Sequence, residues 1–181
     1  QIRLKNINDD QICRIAETIL PIAHENNCPV IMNDFPHLAK KTGCDGVHIG
    51  QADTSYEIAR EIVGPNKIVG VTCHDSRHLA MEAGEKGADY IAFGSFFPTT
   101  TKEVNFHPPT ELIKTWNETT LVPSVAIGGI TPENCGPIVG AGADFIAVVS
   151  SVWDYPLGIK KAVETFNKIF NHHQSSSIAS I

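Results

Sequence analysis

Seven short apolar segments punctuate the chain: QIRLK, CPVIM, DGVHIG, KIVGV, ADYIAFG, PSVAIGG and ADFIAVVS. Each is followed by a stretch with helical character, in order ICRIAETILPIAHEN, HLAKKTG, YEIAREIV, SRHLAMEAGEKG, PTELIKTW, PENCGPIVGAG and PLGIKKAVETFNKIF. Strict alternation of this kind implies parallel strands, because a parallel pair needs a crossover long enough to hold a helix. Two endings are open to such a chain, a doubly wound open sheet or a closed (β/α)8 barrel. A dinucleotide site of the open type needs GxGxxG after the first strand, and none follows here. The late pair AIGGITPEN and GADFIAVVSSVW suits the last two loops of a barrel, which cradle a phosphate. The expected fold is an α/β protein of the (β/α)8 (TIM) barrel type, with strands 2 to 8 in this chain and the first βα unit preceding Gln1.

Composition narrows the class further. With 181 residues, 42% hydrophobic and 19% charged, the chain can bury one substantial core, and residues 1–171 are expected to form one domain. The Ser-rich end, HHQSSSIASI over 172–181, reads as a loose, disordered tail. No apolar run approaches the ~20 residues of a membrane span, so a soluble, cytoplasmic protein with no membrane partner is expected. A net charge of −6 offers no basic face for nucleic acid. Five scattered cysteines (Cys13, Cys28, Cys44, Cys73 and Cys135) form no CxxC pair, which points to reduced thiols and away from a zinc site.

In a barrel the chemistry gathers at the carboxyl ends of the strands. QIRLK places Gln1, Arg3 and Lys5 on one face of a strand, with Ile2 and Leu4 on the other to pack under helices. Taken alone, that polar face also suits a strand whose side chains pair with carboxylates inside a filled barrel. The following strand ends bring Asn33-Asp34, Gly50-Gln51 with Asp53, Thr72, the run Pro98-Thr99-Thr100-Thr101-Lys102, Gly128-Gly129 and Val149-Ser150. Three cations, two carboxylates, hydroxyls and glycine amides form a poor set for hydrolysis and a good one for phosphates. Cations and backbone N–H groups hold phosphoryl oxygens, and two carboxylates suit Mg2+, which completes its octahedron with phosphate oxygens and water.

Six motifs in register carry a resemblance: Gln1-x-Arg3-x-Lys5, Asn33-Asp34, Asp45-Gly46-Val47-His48-Ile49-Gly50-Gln51-x-Asp53, Phe97-Pro98-Thr99-x-Thr101-Lys102, Ala126-Ile127-Gly128-Gly129-Ile130 and Val149-Ser150. Together they resemble the motifs of thiamine-phosphate synthases, from the first residue to about Trp153. The resemblance implies a transferase of thiamine biosynthesis that joins hydroxymethylpyrimidine diphosphate to thiazole phosphate, releasing pyrophosphate with Mg2+. It implies that Arg3, Lys5 and Lys102 hold and neutralise the diphosphate. Gln1, Asn33, Thr72 and His48 would contact the pyrimidine diphosphate, and Asp34 and Asp53 the metal. Thr99, Thr100, Thr101, Gly129, Val149 and Ser150 would hold the thiazole phosphate.

Several of these positions have plainer readings. Asp34 and Asp53 could each cap a helix, the glycine pair could serve the turn before Thr131-Pro132-Glu133, and a buried strand histidine such as His48 is often a satisfied core residue. Cys73 has no base nearby in sequence and reads as inert. Three positions depart from the family pattern: Thr72 stands for serine, Phe35 for arginine and Ser95 for proline. The alternatives to a synthase are a thiazole tautomerase-like protein and a non-catalytic phosphate-binding barrel, neither of which needs the metal and diphosphate sets together.

Overall fold

The computed structural model describes residues 1–99 and 106–178. They form an α/β protein whose six strands hydrogen-bond in chain order, β1-β2-β3-β4-β5-β6. The chain is described as two compact units: residues 1–73 with 78–91, and residues 74–77 with 92–181.

Unit 1 holds α1 (Asp9–Glu25), β1 (Ile31–Asn33), α2 (Pro36–Thr42), β2 (Gly46–Ile49), α3 (Tyr56–Val63), nearly all of β3 (Ile68–His74), most of α4 (Arg77–Glu85) and the start of β4 (Tyr90–Gly94). Its strands are parallel, with Asn33 opposite His48 and His48 opposite Gly70. Helix α1 starts where Asn8 and Gln11 cap each other's backbone in a capping box, and it buries Ile12, Ala16 and Leu20 on one stripe. The core beneath is made by Met32, Leu38, Val47, Ile49 and Val69.

Unit 2 holds the rest of β4, then α5 (Thr110–Thr119), β5 (Ser124–Ile127), α6 (Gly136–Gly140), β6 (Phe145–Ala147), α7 (Ser150–Trp153) and α8 (Ile159–Ile178). Strands β5 and β6 are parallel. Phe93 meets the buried Trp116 edge to face at 5.7 Å, and the indole N–H donates to the Val122 carbonyl at 2.8 Å, so the ring is buried without an orphaned donor.

One device recurs at the amino ends of the strands. Gly43-Cys44-Asp45, Gly87-Ala88-Asp89 and Gly142-Ala143-Asp144 each follow a helix. The glycines take left-handed φ values of +80°, +97° and +95°, which turn the chain out of the helix at little steric cost. Cys44, Ala88 and Ala143 are buried. Each aspartate then accepts a hydrogen bond from the backbone at the start of the neighbouring segment: Val30 N–H at 2.7 Å, Val69 N–H at 2.7 Å and Ser124 N–H at 2.8 Å. Each also has a second partner, His24 at 2.8 Å for Asp45, Arg60 at 2.5 Å for Asp89 and the Ser124 hydroxyl at 3.1 Å for Asp144. Burial disfavours the charged form of Asp45, but the Val30 N–H and the His24 ring outweigh it and hold the carboxyl below the usual aspartate range.

The structure departs from expectation at the edges of the chain. QIRLK is no full strand: Ile2 makes a single parallel bridge to Met32, and Asn6 then turns to φ +61°, which ends the extended run. Ile2 is buried as expected, whereas Leu4 lies exposed. Helix α7 begins at Ser150, where the sequence suggests only a loop, and α8 continues through the segment 172–178 that reads as a tail.

Candidate functional site

Unit 1 gathers its polar groups where β1, β2 and β3 end. The Ile2–Met32 bridge runs parallel, so its register carries Gln1 and Arg3 along the same face as Asn33. Gln1 Nε2 donates to the Asn33 side-chain carbonyl at 2.6 Å, and Asn33 is buried. Arg3 is half-buried and Lys5 exposed, and among the described residues neither forms an ion pair.

Asp34 sits at φ +64°, a left-handed conformation that costs a non-glycine residue and that Asp tolerates better than most. Its N–H donates to the His48 carbonyl at 2.8 Å, fixing it where β1 ends beside β2. Asp53 folds back over the end of β2, its Oδ2 accepting from Gly50 N–H at 2.8 Å. A Cβ on Gly50 would stand 2.9 Å from that oxygen, so the glycine leaves the room the carboxylate occupies. The two carboxylates thus stand at adjacent strand ends. Among the described residues no three His, Cys, Asp or Glu side chains cluster as an all-protein metal cage. A pair of carboxylates fits an ion such as Mg2+, which takes few protein ligands and completes its shell with phosphate and water.

Thr72, at the end of β3, is held from both sides. Its carbonyl accepts from Gln51 Nε2 at 2.6 Å, and its hydroxyl lies 2.7 Å from His48 Nε2. His48 is buried, with Nδ1 2.8 Å from the Tyr90 hydroxyl. Both imidazole nitrogens therefore have a partner within unit 1. Tyr90 and Gly70, which the sequence reading leaves among the ordinary strand residues, belong to this group. A glycine inside a strand pattern is the signal that could have found them, since it marks a close approach. Cys73 beside them is buried, which pushes its thiol up to about 12 and keeps it protonated.

Among its described residues, unit 2 joins the ends of β4 and β5 through backbone. After β4, Phe96 N–H and Phe97 N–H donate to the carbonyls of Ile127 and Gly128, each at 3.1 Å. Gly128 and Gly129 both have positive φ, +100° and +63°. A Cβ on Gly128 would fall 2.0 Å from Ser95 Oγ, and one on Gly129 2.4 Å from the Pro98 carbonyl. The glycine pair is needed first for this close packing of the segment 95–98. Thr99 ends that segment, half-buried. Thr100, Thr101 and Lys102 lie outside the described residues.

Val149 caps α7, its carbonyl accepting from Val152 and Trp153, and Ser150 opens the helix. Ser150 and Thr131 border an open depression of about 440 Å3, shared with Glu133, Asp154 and Tyr155, while Gly129 and Val149 do not line it. Thr131 itself is held by Asn134, whose Oδ1 accepts from Thr131 N–H at 2.8 Å and whose Nδ2 donates to Gly129 O at 3.0 Å. Asn134 thereby ties the glycine loop to the segment before α6.

No helix among the described residues is long and apolar enough to cross a membrane. The sequence pattern of the thiamine monophosphate synthase family matches residues 1–152. The thiamine-phosphate synthase of Rhodospirillum centenum is 53% identical over 169 residues, covering 93% of this chain and 82% of that protein. The thiamine-phosphate synthase of Erythrobacter litoralis is 49% identical over 155 residues, covering 84% and 73%. Among solved structures, the thiamine phosphate pyrophosphorylase of Pyrococcus furiosus superposes with a TM-score of 0.83 at 33% identity, over 94% of this chain and 81% of that one. A match over most of the chain makes this chain a member of the thiamine-phosphate synthase family.

Proposed function

We propose that the protein joins hydroxymethylpyrimidine diphosphate to thiazole phosphate, giving thiamine phosphate and pyrophosphate, and that the QIRLK segment followed by β1 to β6 takes positions 2 to 8 of a (β/α)8 barrel. The observation that carries the reaction is the presence in unit 1 of two cations that meet no carboxylate among the described residues, Arg3 and Lys5, with two carboxylates at adjacent strand ends, Asp34 and Asp53. A site for a phosphate ester alone has no use for both sets.

The chemistry asked of the chain is modest. Loss of pyrophosphate from the exocyclic methylene of the pyrimidine leaves a cation stabilised by the ring's 4-amino group, and the thiazole nitrogen then attacks it. Arg3, Lys5 and Lys102 counter the negative charge that grows on the departing diphosphate, and charge that exists only in the transition state is where a fixed cation lowers a barrier. Gln1 and Asn33 form one hydrogen-bonded pair, so the Gln1 carbonyl stays free for the pyrimidine while Asn33 keeps its amide for a diphosphate oxygen. Asp34 and Asp53 would hold Mg2+, which supplies further positive charge to the leaving group. Thr99, Thr100 and Thr101, with the backbone of Gly129, Val149 and Ser150, hold the thiazole phosphate. No protein nucleophile is required, and the raised thiol of Cys73 is consistent with that.

The test is release of pyrophosphate when both substrates and Mg2+ are supplied to the full chain. Product formation that requires both substrates supports the synthase reading. No pyrophosphate from a folded, active-site-intact preparation contradicts it and returns the choice to a tautomerase-like or non-catalytic phosphate binder.

A further inference from the structure

Tyr90, His48 and Thr72 form a hydrogen-bonded line within unit 1. It begins at a missing side chain. Gly70 faces His48 across the β2–β3 ladder, and a Cβ there would fall 1.9 Å from Tyr90 Cζ. The tyrosine ring therefore occupies the space over the glycine. From there it lies nearly parallel to the imidazole, 5.5 Å between centroids at 18°, with its hydroxyl 2.8 Å from Nδ1. On the other side Nε2 stands 2.7 Å from Thr72 Oγ1.

A neutral imidazole has one donor and one acceptor nitrogen, so the line can run in one of two directions. A phenol is a far stronger donor than an alkyl hydroxyl, and an unprotonated imidazole nitrogen is a strong acceptor. The favoured direction is thus Tyr90 O–H to Nδ1, then Nε2–H to the Thr72 oxygen. Burial raises the Tyr90 hydroxyl well above its ordinary value, so the phenol keeps the proton it donates. In that arrangement the Thr72 oxygen is an acceptor within the protein, and its own proton is left to point at the end of β3. In the opposite arrangement Thr72 would spend its proton on Nε2 and present only lone pairs, which repel an anion.

We infer that Tyr90 is a positioning residue that acts through His48 to make the Thr72 hydroxyl a hydrogen-bond donor to the diphosphate. This rests on the synthase reading for the identity of the anion; the direction of the line does not. It also gives Gly70 a function, since any larger residue would push the tyrosine off the imidazole.

The experiment pairs a spectroscopic reading with kinetics. In 15N-labelled, unliganded protein, long-range 1H–15N correlations of His48 are expected to show Nδ1 unprotonated and Nε2 protonated. Tyr90→Phe keeps the ring and removes the hydroxyl, and it should shift that pattern toward the other tautomer. Its turnover number should fall about tenfold, as for loss of one neutral hydrogen bond worth ~1.4 kcal/mol, with the Michaelis constant for thiazole phosphate unmoved. Thr72→Val should fall at least as far, Thr72→Ser should retain activity, and adding Tyr90→Phe to Thr72→Val should cost nothing more. A parent protein with Nδ1 protonated overturns the relay whatever reaction the protein performs, and additive effects of the two substitutions overturn it too. Absence of pyrophosphate from the parent overturns the synthase reading and the anion with it, while leaving the tautomer measurement to stand by itself.

Discussion

Beside the ends of β1, β2 and β3, unit 1 presents charge on side chains: Arg3, Lys5, Asp34 and Asp53. At the ends of β4 and β5, unit 2 presents, among the described residues, Ser95, Thr99, Gly128 and Gly129, with short side chains or none. At their other ends the strands of both units are stitched by the same glycine-x-aspartate device, through Asp45, Asp89 and Asp144. One scaffold rule therefore serves both units, and what differs is the residues each presents where the chain leaves the strands. Side-chain charge suits a group whose negative charge increases during reaction, because fixed cations and a metal stabilise the increase. Backbone amides and hydroxyls suit a phosphate whose charge stays constant, where binding alone is needed.

That contrast breaks most visibly at the proposed Mg2+ site. Asp53→Asn keeps the shape over Gly50 and loses the charge, and turnover is expected to fall about 10²-fold or more with weakened Mg2+ dependence. Affinity for thiazole phosphate should change little. Equal turnover at saturating Mg2+ would remove Asp53 from the metal and erase the distinction between the units.

In unit 2 the corresponding probe is steric. Gly129→Ala places a methyl group 2.4 Å from the Pro98 carbonyl at a backbone angle that favours glycine. We expect a loss of about 1–3 kcal/mol in stability and a raised Michaelis constant for thiazole phosphate, with Mg2+ dependence intact. A changed Mg2+ requirement would show that the glycine loop serves the charged chemistry as well.

The smallest effect belongs to the shared device. Asp45→Asn removes a charge from a hydrogen bond to Val30 and should cost about 1 kcal/mol at neutral pH, with turnover unchanged. Because the folded carboxyl titrates below the usual aspartate range, its stabilisation is fully present above that range and fades as pH falls through the lower folded value. Parent and variant should therefore converge in urea melts as the medium is made acidic. A gap that persists unchanged in acid would assign the loss to packing instead of charge.

Much of this was legible in the sequence. The six strands fall on six of the seven apolar segments, because those segments carry buried Val, Ile, Ala and Phe on a parallel sheet. QIRLK fails as a strand because pairing with β1 gives it one bridge and Asn6 then breaks the run, which no count of alternating residues reveals. The triplets GCD, GAD and GAD were present in plain view, but each alone looks like a helix end followed by a strand. Their common purpose needs the positions of Val30, Val69 and Ser124, which are distant in sequence. Tyr90 was hidden for the same reason, since its reach to His48 depends on Gly70 on the strand between them. Asp34 and Asp53 were readable as candidates, while the left-handed turn of one and the Gly50 bond of the other were not.

The division of labour is tested most directly by binding both anions to one altered protein. Arg3→Ala with Lys5→Ala removes two cations from unit 1 and replaces no residue of unit 2. Titration calorimetry would measure pyrophosphate in the presence of Mg2+ and, separately, thiazole phosphate. Affinity for pyrophosphate is expected to fall about 10²-fold, as for the loss of two charge-assisted contacts of ~1.5 kcal/mol each, and affinity for thiazole phosphate to stay within about twofold. Equal losses for both ligands, or none for pyrophosphate, would contradict the account.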